Sequence, residues 1–217
     1  VFKAAQGISL DENLTELQFE DWGKALGALH RLSEAYEPVS TKRGDWQDVL
    51  NGMASILQRH HEKEAIAELE HLMKELQAIP ISKSNYGLIH YDFQLDNLFY
   101  EEDTKIFHVI DFDDAFYSWY VQDIVTALDD FLDDELTLDS PPVKAFLNGY
   151  KSVKPLSEEE IARIPLFKRF MKLYKFSRIL WSLEGVELEN APEWLSPIKM
   201  KFENVRDQLR SSFKNAI

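Results

Sequence analysis

Between Tyr86 and Ile110 the helical periodicity that fills most of this chain stops, and three short β-branched or aromatic runs replace it: YGLI, NLFY and KIFHVI. The EEDT stretch between the last two reads as a hairpin loop. Everything after Asp123 reads as helix again, so no alternating series of strands and helices follows from which a parallel sheet could be built. The flanks are helical for identifiable reasons. Thr15 and Gln18 form a capping box, with Leu14 and Phe19 placed as a staple, ahead of Trp22, Ala25, Leu26, Leu29 and Leu32 at helical spacing. DWQDVLNGMASILQRHH and KEAIAELEHLMKELQAI keep the same period until Ile79-Pro80 ends it. Downstream, Ser140 precedes Pro141 as an N-cap, Ser157 with Glu160 is a second capping box, Pro165 to Gly185 carries an apolar stripe, and Ser196-Pro197 opens a last helix. The fold class expected is mainly α (α+β), with helices around a small central β-hairpin region.

Composition narrows the possible functions. At 45% hydrophobic, 217 residues can bury a real core. The absence of cysteine removes disulfides, thiolate nucleophiles and Cys-type zinc sites. A net charge of −14 argues against a nucleic-acid partner and suits a cationic ligand. No run approaches the roughly 20 apolar residues of a membrane span, and no signal peptide is visible, so a cytoplasmic protein with no membrane partner is expected. The sequence opens on VFKAAQG without an initiator Met, which reads as a piece of a longer chain or a processed product.

The chemistry-bearing residues sit on the β segment. His90, Asp92 and Asn97 fit H-x-D-x-x-x-x-N between two short strands, and Asp111 closes the third strand in IDFDDA. Phosphoryl transfer from a nucleotide needs a carboxylate to receive and orient the attacking hydroxyl, and oxygen ligands for the magnesium that bridges the phosphates. Asp92, Asn97 and Asp111 supply such a set. Their side-chain oxygens are expected to converge, within a few ångströms to about 8 Å of each other. Taken singly, Asp and Asn before a strand are ordinary turn residues.

HYDFQLDN followed by IDFDDA resembles the catalytic loop and metal-binding segment of the aminoglycoside phosphotransferase and choline kinase superfamily, relatives of protein kinases. VFKAAQG resembles the hinge between the two kinase lobes, LGALHRL the first helix of the C-terminal lobe, and YVQDIVTAL the helix after the metal segment. The resemblance implies a small-molecule kinase using Mg2+ and ATP or GTP on a substrate hydroxyl. It implies that Asp92 is the catalytic base, that His90 supports the loop, that Asn97 and Asp111 bind magnesium, and that Phe2 and Ala4 contact the nucleotide. Asp123 is expected to cap its helix and to hold the catalytic-loop backbone. Residues 1–7 would be a hinge remnant and residues 8–217 a single kinase-like C-terminal lobe, its N-terminal partner lobe missing.

Three features depart from the pattern. Tyr91 stands where many members have a small residue, which would narrow the space beside the base. Asp113 stands where protein kinases have the glycine of D-F-G. Nothing resembles a Gly-rich phosphate loop or its strand lysine. A rival reading takes IFHVIDFDD as the strand and D-x-D of a haloacid dehalogenase-type phosphatase with Asp111 as nucleophile. It lacks the further β-α units, and Ala115 replaces the Thr or Val of that family. A third reading is a non-catalytic kinase-like binding module.

Other conspicuous residues have plainer explanations. His30 is expected to pack within its helix, and His60-His61 to serve a helix end, since neighbours on a helix point in different directions. The acids from Asp129 to Asp139 form a solvated loop or attract a cationic substrate. Tyr174, Phe176 and Trp181 are expected in the core, with the alternative that one of them faces a substrate and offers it a cation–π contact.

Overall fold

Thr15 starts the first helix as its sequence demands, its side chain accepting the Gln18 amide while the Gln18 side chain returns to the Thr15 amide. A computed structural model describes residues 4–11, 13–39, 42–132, 137–186 and 192–214. Helix α1 (Glu16–Ala35) buries Phe19, Trp22, Leu26 and His30 on one face. Helix α5 (Pro141–Val153) lies against that face at backbone distance. A Cβ on Gly23 would land 1.9 Å from the Phe146 carbonyl oxygen, and one on Gly149 1.9 Å from that of Glu20. Glycine is what lets the two backbones meet. The Trp22 ring then meets Phe146 edge-on at 5.1 Å.

The β segment holds four strands. They are β1 (Tyr86–Ile89), β2 (Leu98–Glu101), β3 (Ile106–Val109) and β4 (Phe116–Trp119). β2 and β3 form the expected hairpin, Leu98 opposite Val109 and Glu101 opposite Ile106. β1 does not join them; it pairs antiparallel with β4, Tyr86 opposite Trp119. β4 is the strand that the sequence did not announce. FYSW runs directly into α4 (Tyr120–Ala127), with Trp119 at the N-cap, so no turn residue separates strand from helix. Ile8 extends the hairpin sheet on its other side, exchanging backbone hydrogen bonds with Tyr100 at 3.0 and 2.8 Å. Both sheets are antiparallel, so among the described residues the parallel sheet of the phosphatase reading is absent.

Contacts divide the chain into two compact units: Val1–Asp45 with Ile81–Phe167, and Trp46–Pro80 with Lys168–Ile217. The first contains His90, Asp92, Asn97 and Asp111. In the second, α2 (Trp46–Arg59) packs on α3 (Lys63–Gln77), and α3 on α8 (Leu195–Lys214). At the end of α2, His60 bonds Glu184 at 2.9 Å and His61 turns the backbone with φ at +57°, so the histidine pair does serve a helix end. The apolar stripe after the short α6 (Glu158–Ile161) forms α7 (Ile164–Leu183). Phe176 is buried there as expected, but Trp181 is half exposed with the Arg178 guanidinium 5.0 Å over its ring, and Tyr174 is only half-buried. Trp181 lies at the last turn of α7, where the stripe reaches the surface. No helix among the described residues is long and apolar enough to cross a membrane.

Candidate active site

The site is built on one buried carboxylate. Asp123, in the first turn of α4 and fully buried, accepts the backbone N–H of His90 at 2.8 Å and of Tyr91 at 2.6 Å. Holding the loop is therefore as expected; capping is not, because the helix has no side-chain cap and the carboxylate is used on the loop instead. His30, expected merely to pack, reaches the same group through Nε2 at 3.0 Å. Its Nδ1 lies 2.9 Å from the Tyr150 hydroxyl, and its ring stacks on Tyr120 at 4.5 Å. Burial drives the His30 pKa below the ordinary imidazole value, against the opposing pull of Asp123. A neutral ring with Nε2–H donating to Asp123 and Nδ1 accepting from Tyr150 satisfies both bonds. One signal in the sequence pointed here: His30 follows Trp22 and Leu26 at i+4 steps on the buried stripe, and a polar group there needs a buried partner.

The pinned loop presents the motif. Asn97 Nδ2 donates to the Asp92 carboxylate at 2.7 Å and to the Asp92 carbonyl at 3.0 Å. Ile110 ties the third strand end to the same loop, its N–H donating to the Asn97 carbonyl at 3.1 Å and its carbonyl accepting His90 Nε2–H at 2.9 Å. Asp111 is the next residue, exposed and in left-handed backbone with φ at +56°. Tyr91, beside Asp92, is left-handed too at +70°. Non-glycine residues held there store about 1–3 kcal/mol each, and functional sites are where such strain persists. Tyr91 is buried with its ring on Phe116, centroids 5.0 Å apart. Asp113, in the D-F-G glycine position, is exposed and its N–H donates to Asp111 Oδ1 at 3.3 Å.

The electrostatics set Asp92 apart. Partial burial raises its pKa above the usual carboxylate value, Asn97 opposes that, and the Asp96 charge adds to it. The donor set also suits a hard cation. Asn97 uses its amide nitrogen on Asp92, which leaves its oxygen for an ion, and the Asp111 carboxylate faces solvent. No three His, Cys, Asp or Glu side chains gather as an ion site among the described residues. Asn97 and Asp111 are the groups here that could help hold a hard cation such as Mg2+. Ala4 is exposed with its carbonyl taking the Gln6 side chain at 3.2 Å, and Phe2 lies outside the described residues.

Sequence reasoning missed the neighbourhood of the loop. A cavity of about 460 Å³ is lined by Asp11, Trp22, Gln94, Asp96, Asp130 and Phe131, among others. The residues come from four separate segments, so no spacing rule could assemble them. Of the acidic run, Asp139 pairs with Lys144 at 2.9 Å and residues 133–136 lie outside the described residues.

A family described as "Phosphotransferase enzyme family" matches residues 2–161. The chain is 27% identical over 216 residues to amicoumacin kinase of Bacillus subtilis (strain 168), covering 94% of this chain and 63% of that protein. It is 30% identical over 158 residues to a homoserine kinase of Agrobacterium fabrum, covering 68% and 46%. The chain thus spans between about half and under two thirds of these relatives' length. Among solved structures, amicoumacin kinase hAmiN in complex with AMP-PNP, Ca2+ and Ami matches with a TM-score of 0.76 at 21% identity, over 99% of this chain and 67% of that one. A microcompartment-associated aminopropanol kinase matches with a TM-score of 0.60 at 20% identity, over 96% and 66%. The likeness in fold matches the mostly helical chain with small antiparallel sheets.

Proposed function

Because the chain belongs to the phosphotransferase enzyme family, we propose that it is the acceptor- and metal-binding lobe of a small-molecule kinase. That enzyme moves the γ-phosphoryl group of ATP or GTP to a substrate hydroxyl. The observation that carries the reading is the half-buried Asp92 carboxylate, bonded to Asn97 on a loop that Asp123 pins through two backbone amides. Asp92 orients the acceptor hydroxyl and takes its proton as the new O–P bond forms and the bond to the departing nucleoside diphosphate breaks. Its raised pKa makes it a better proton acceptor than a solvated Asp. Asn97 and Asp111 would hold Mg2+, which would supply positive charge to offset that of the phosphates. Asp123, His30 and His90 touch no reactant in this scheme; they position the loop. A Gly-rich phosphate loop and its lysine belong, in this reading, to a lobe beyond these 217 residues.

The cavity beside the loop is the natural seat for the acceptor. Its volume falls in the range of small-molecule sites, about 300–1,000 Å³. The exposed carboxylates of Asp11, Asp96 and Asp130 suit a cationic acceptor, and the Trp22 indole N–H, buried without a protein partner, offers a donor to an acceptor oxygen.

Two variants of the enzyme test the reading. Asp92→Asn should cut transfer by about 10²–10⁴-fold while calorimetry finds Mg·ATP and Mg·GTP binding intact. Asp111→Asn should weaken that binding as well, since it removes a charged ligand. Nucleotide-independent ester hydrolysis that survives Asp92→Asn but not Asp111→Asn would end the kinase reading.

A further inference from the structure

Residues 42–45 run beside β4 as a short strap. The Gly44 carbonyl accepts the Tyr117 N–H at 3.0 Å, Asp45 forms a parallel bridge to Tyr117, and Lys42 Nζ stands 4.5 Å over the Tyr117 ring. The strap aims Arg43 at the turn between Asp111 and β4, where its Nη1 donates to the Asp113 carbonyl at 2.8 Å and to the Ala115 carbonyl at 3.2 Å. Within the turn the Asp113 N–H donates to Asp111 at 3.3 Å and the Ala115 N–H to the Phe112 carbonyl at 3.1 Å, while the Phe112 ring meets that of His90 at 4.6 Å. Upstream, Ile110 fixes it to Asn97 and His90; downstream, the strap does. Asp111 sits between these two anchors in a left-handed conformation, which costs an L-residue energy although Asp is among those that tolerate it.

We infer that Arg43 is a positioning residue that sets the direction of the Asp111 carboxylate, and so tunes metal binding at a turn it touches only through backbone carbonyls. The inference rests on the proposed role of Asp111 as a metal ligand. Arg43 is exposed, so its loss uncovers little apolar surface. It is also a cation bonded to the backbone of a stretch that carries Asp111, Asp113 and Asp114, whose mutual repulsion would otherwise open the turn. No motif points to it, because it lies in the loop between α1 and α2, far from IDFDDA in sequence.

The test compares Arg43→Gln, Arg43→Lys and Asp111→Asn in this 217-residue chain. Mn2+ binding is read by electron paramagnetic resonance, and amide hydrogen exchange is read at residues 112–117. Arg43→Gln should weaken Mn2+ binding about ten-fold, the usual loss when a residue orienting a ligand is removed, and speed exchange at 112–117 while α1 and α5 exchange as before. Arg43→Lys keeps a donor for the carbonyls and should retain most of the affinity. Loss of Mn2+ binding in Asp111→Asn with parental affinity in Arg43→Gln overturns the strap alone. Mn2+ affinity that ignores Asp111→Asn overturns the metal assignment instead. Unchanged exchange at 112–117 in Arg43→Gln overturns the hold of Arg43 on the turn whatever the metal does.

Discussion

The two compact units differ in whether any of their charged and polar pairs are buried. The unit that carries H-x-D-x-x-x-x-N has surface pairs such as Lys83–Glu37 and Lys144–Asp139, but there His30 and Asp123 also meet with neither exposed, Lys154 is buried against Glu34 and the Ser84 carbonyl, and the Tyr100 hydroxyl donates to buried Asp21 at 2.9 Å. In the other unit, Arg169 meets Glu68 at 2.5 Å and Glu75 at 2.6 Å, while Arg59 and His60 share Glu184, all at or near the surface. Arg210 with Glu62, on the seam between α3 and α8, comes nearer burial, as does Glu68 beneath Arg169. Buried ion pairs contribute little net stability because desolvation offsets attraction, but losing one partner strands the other. Surface pairs contribute about 0–1 kcal/mol each. The first unit's network therefore acts as a jig for the loop, and the second's as a brace that many substitutions could replace.

Several substitutions would break or sharpen that contrast. Asp123→Asn should be the most severe, because Asn keeps one acceptor oxygen for three donors and turns an NH2 toward them. We expect about 3 kcal/mol lost in urea unfolding and release of the Tyr91 backbone; wild-type stability would show that the jig is dispensable. Next comes acid sensitivity through His30. Its folded pKa lies below its unfolded one, so the unfolded state takes the proton first: stability is full above about pH 6.5 and falls as pH drops below it. Unfolding midpoints at pH 7.5 and pH 5.5 should differ less in His30→Gln than in the parent, although that variant starts less stable. Glu62→Gln should lose about 1 kcal/mol, since Arg210 keeps an acceptor of the same shape but no charge.

Asp92→Asn should act in the other direction. A carboxylate whose pKa burial raises binds its proton more tightly when folded, so it weakens the fold above that pKa, and the deficit vanishes at low pH. Neutral-pH melting should rise by about 1–2 °C, a small gain because the group stays half in water, and the gain should disappear near pH 3.5. A loss at neutral pH would mean that the bond to Asn97 outweighs the burial. Smallest of all, Glu184→Gln should leave the melting temperature within about 1 °C and its salt dependence unchanged; a larger shift would erase the distinction between jig and brace.

Much of this was legible from local rules. The capping boxes at Thr15 and Ser157 and the α7 stripe depend on neighbours three or four residues away and the β2–β3 hairpin on partners within one short stretch, and the sequence alone determined them. The H-x-D-x-x-x-x-N spacing was legible for the same reason: His90, Asp92 and Asn97 lie within one loop. Trp181 shows the limit, since an apolar stripe says which face is inside but not where along the helix the core ends. What only the tertiary structure decided involves partners far apart in the chain. β1 pairs with β4 across the catalytic loop and the hairpin, Asp123 turns from its own helix to the amides of His90 and Tyr91, His30 joins it from α1, and Arg43 reaches the turn after Asp111. Each of these satisfies a buried polar group, braces an open turn or closes a sheet edge with whatever the fold brings within reach. Hydrogen bonding requires that such groups find a partner, and only the packed chain selects which one.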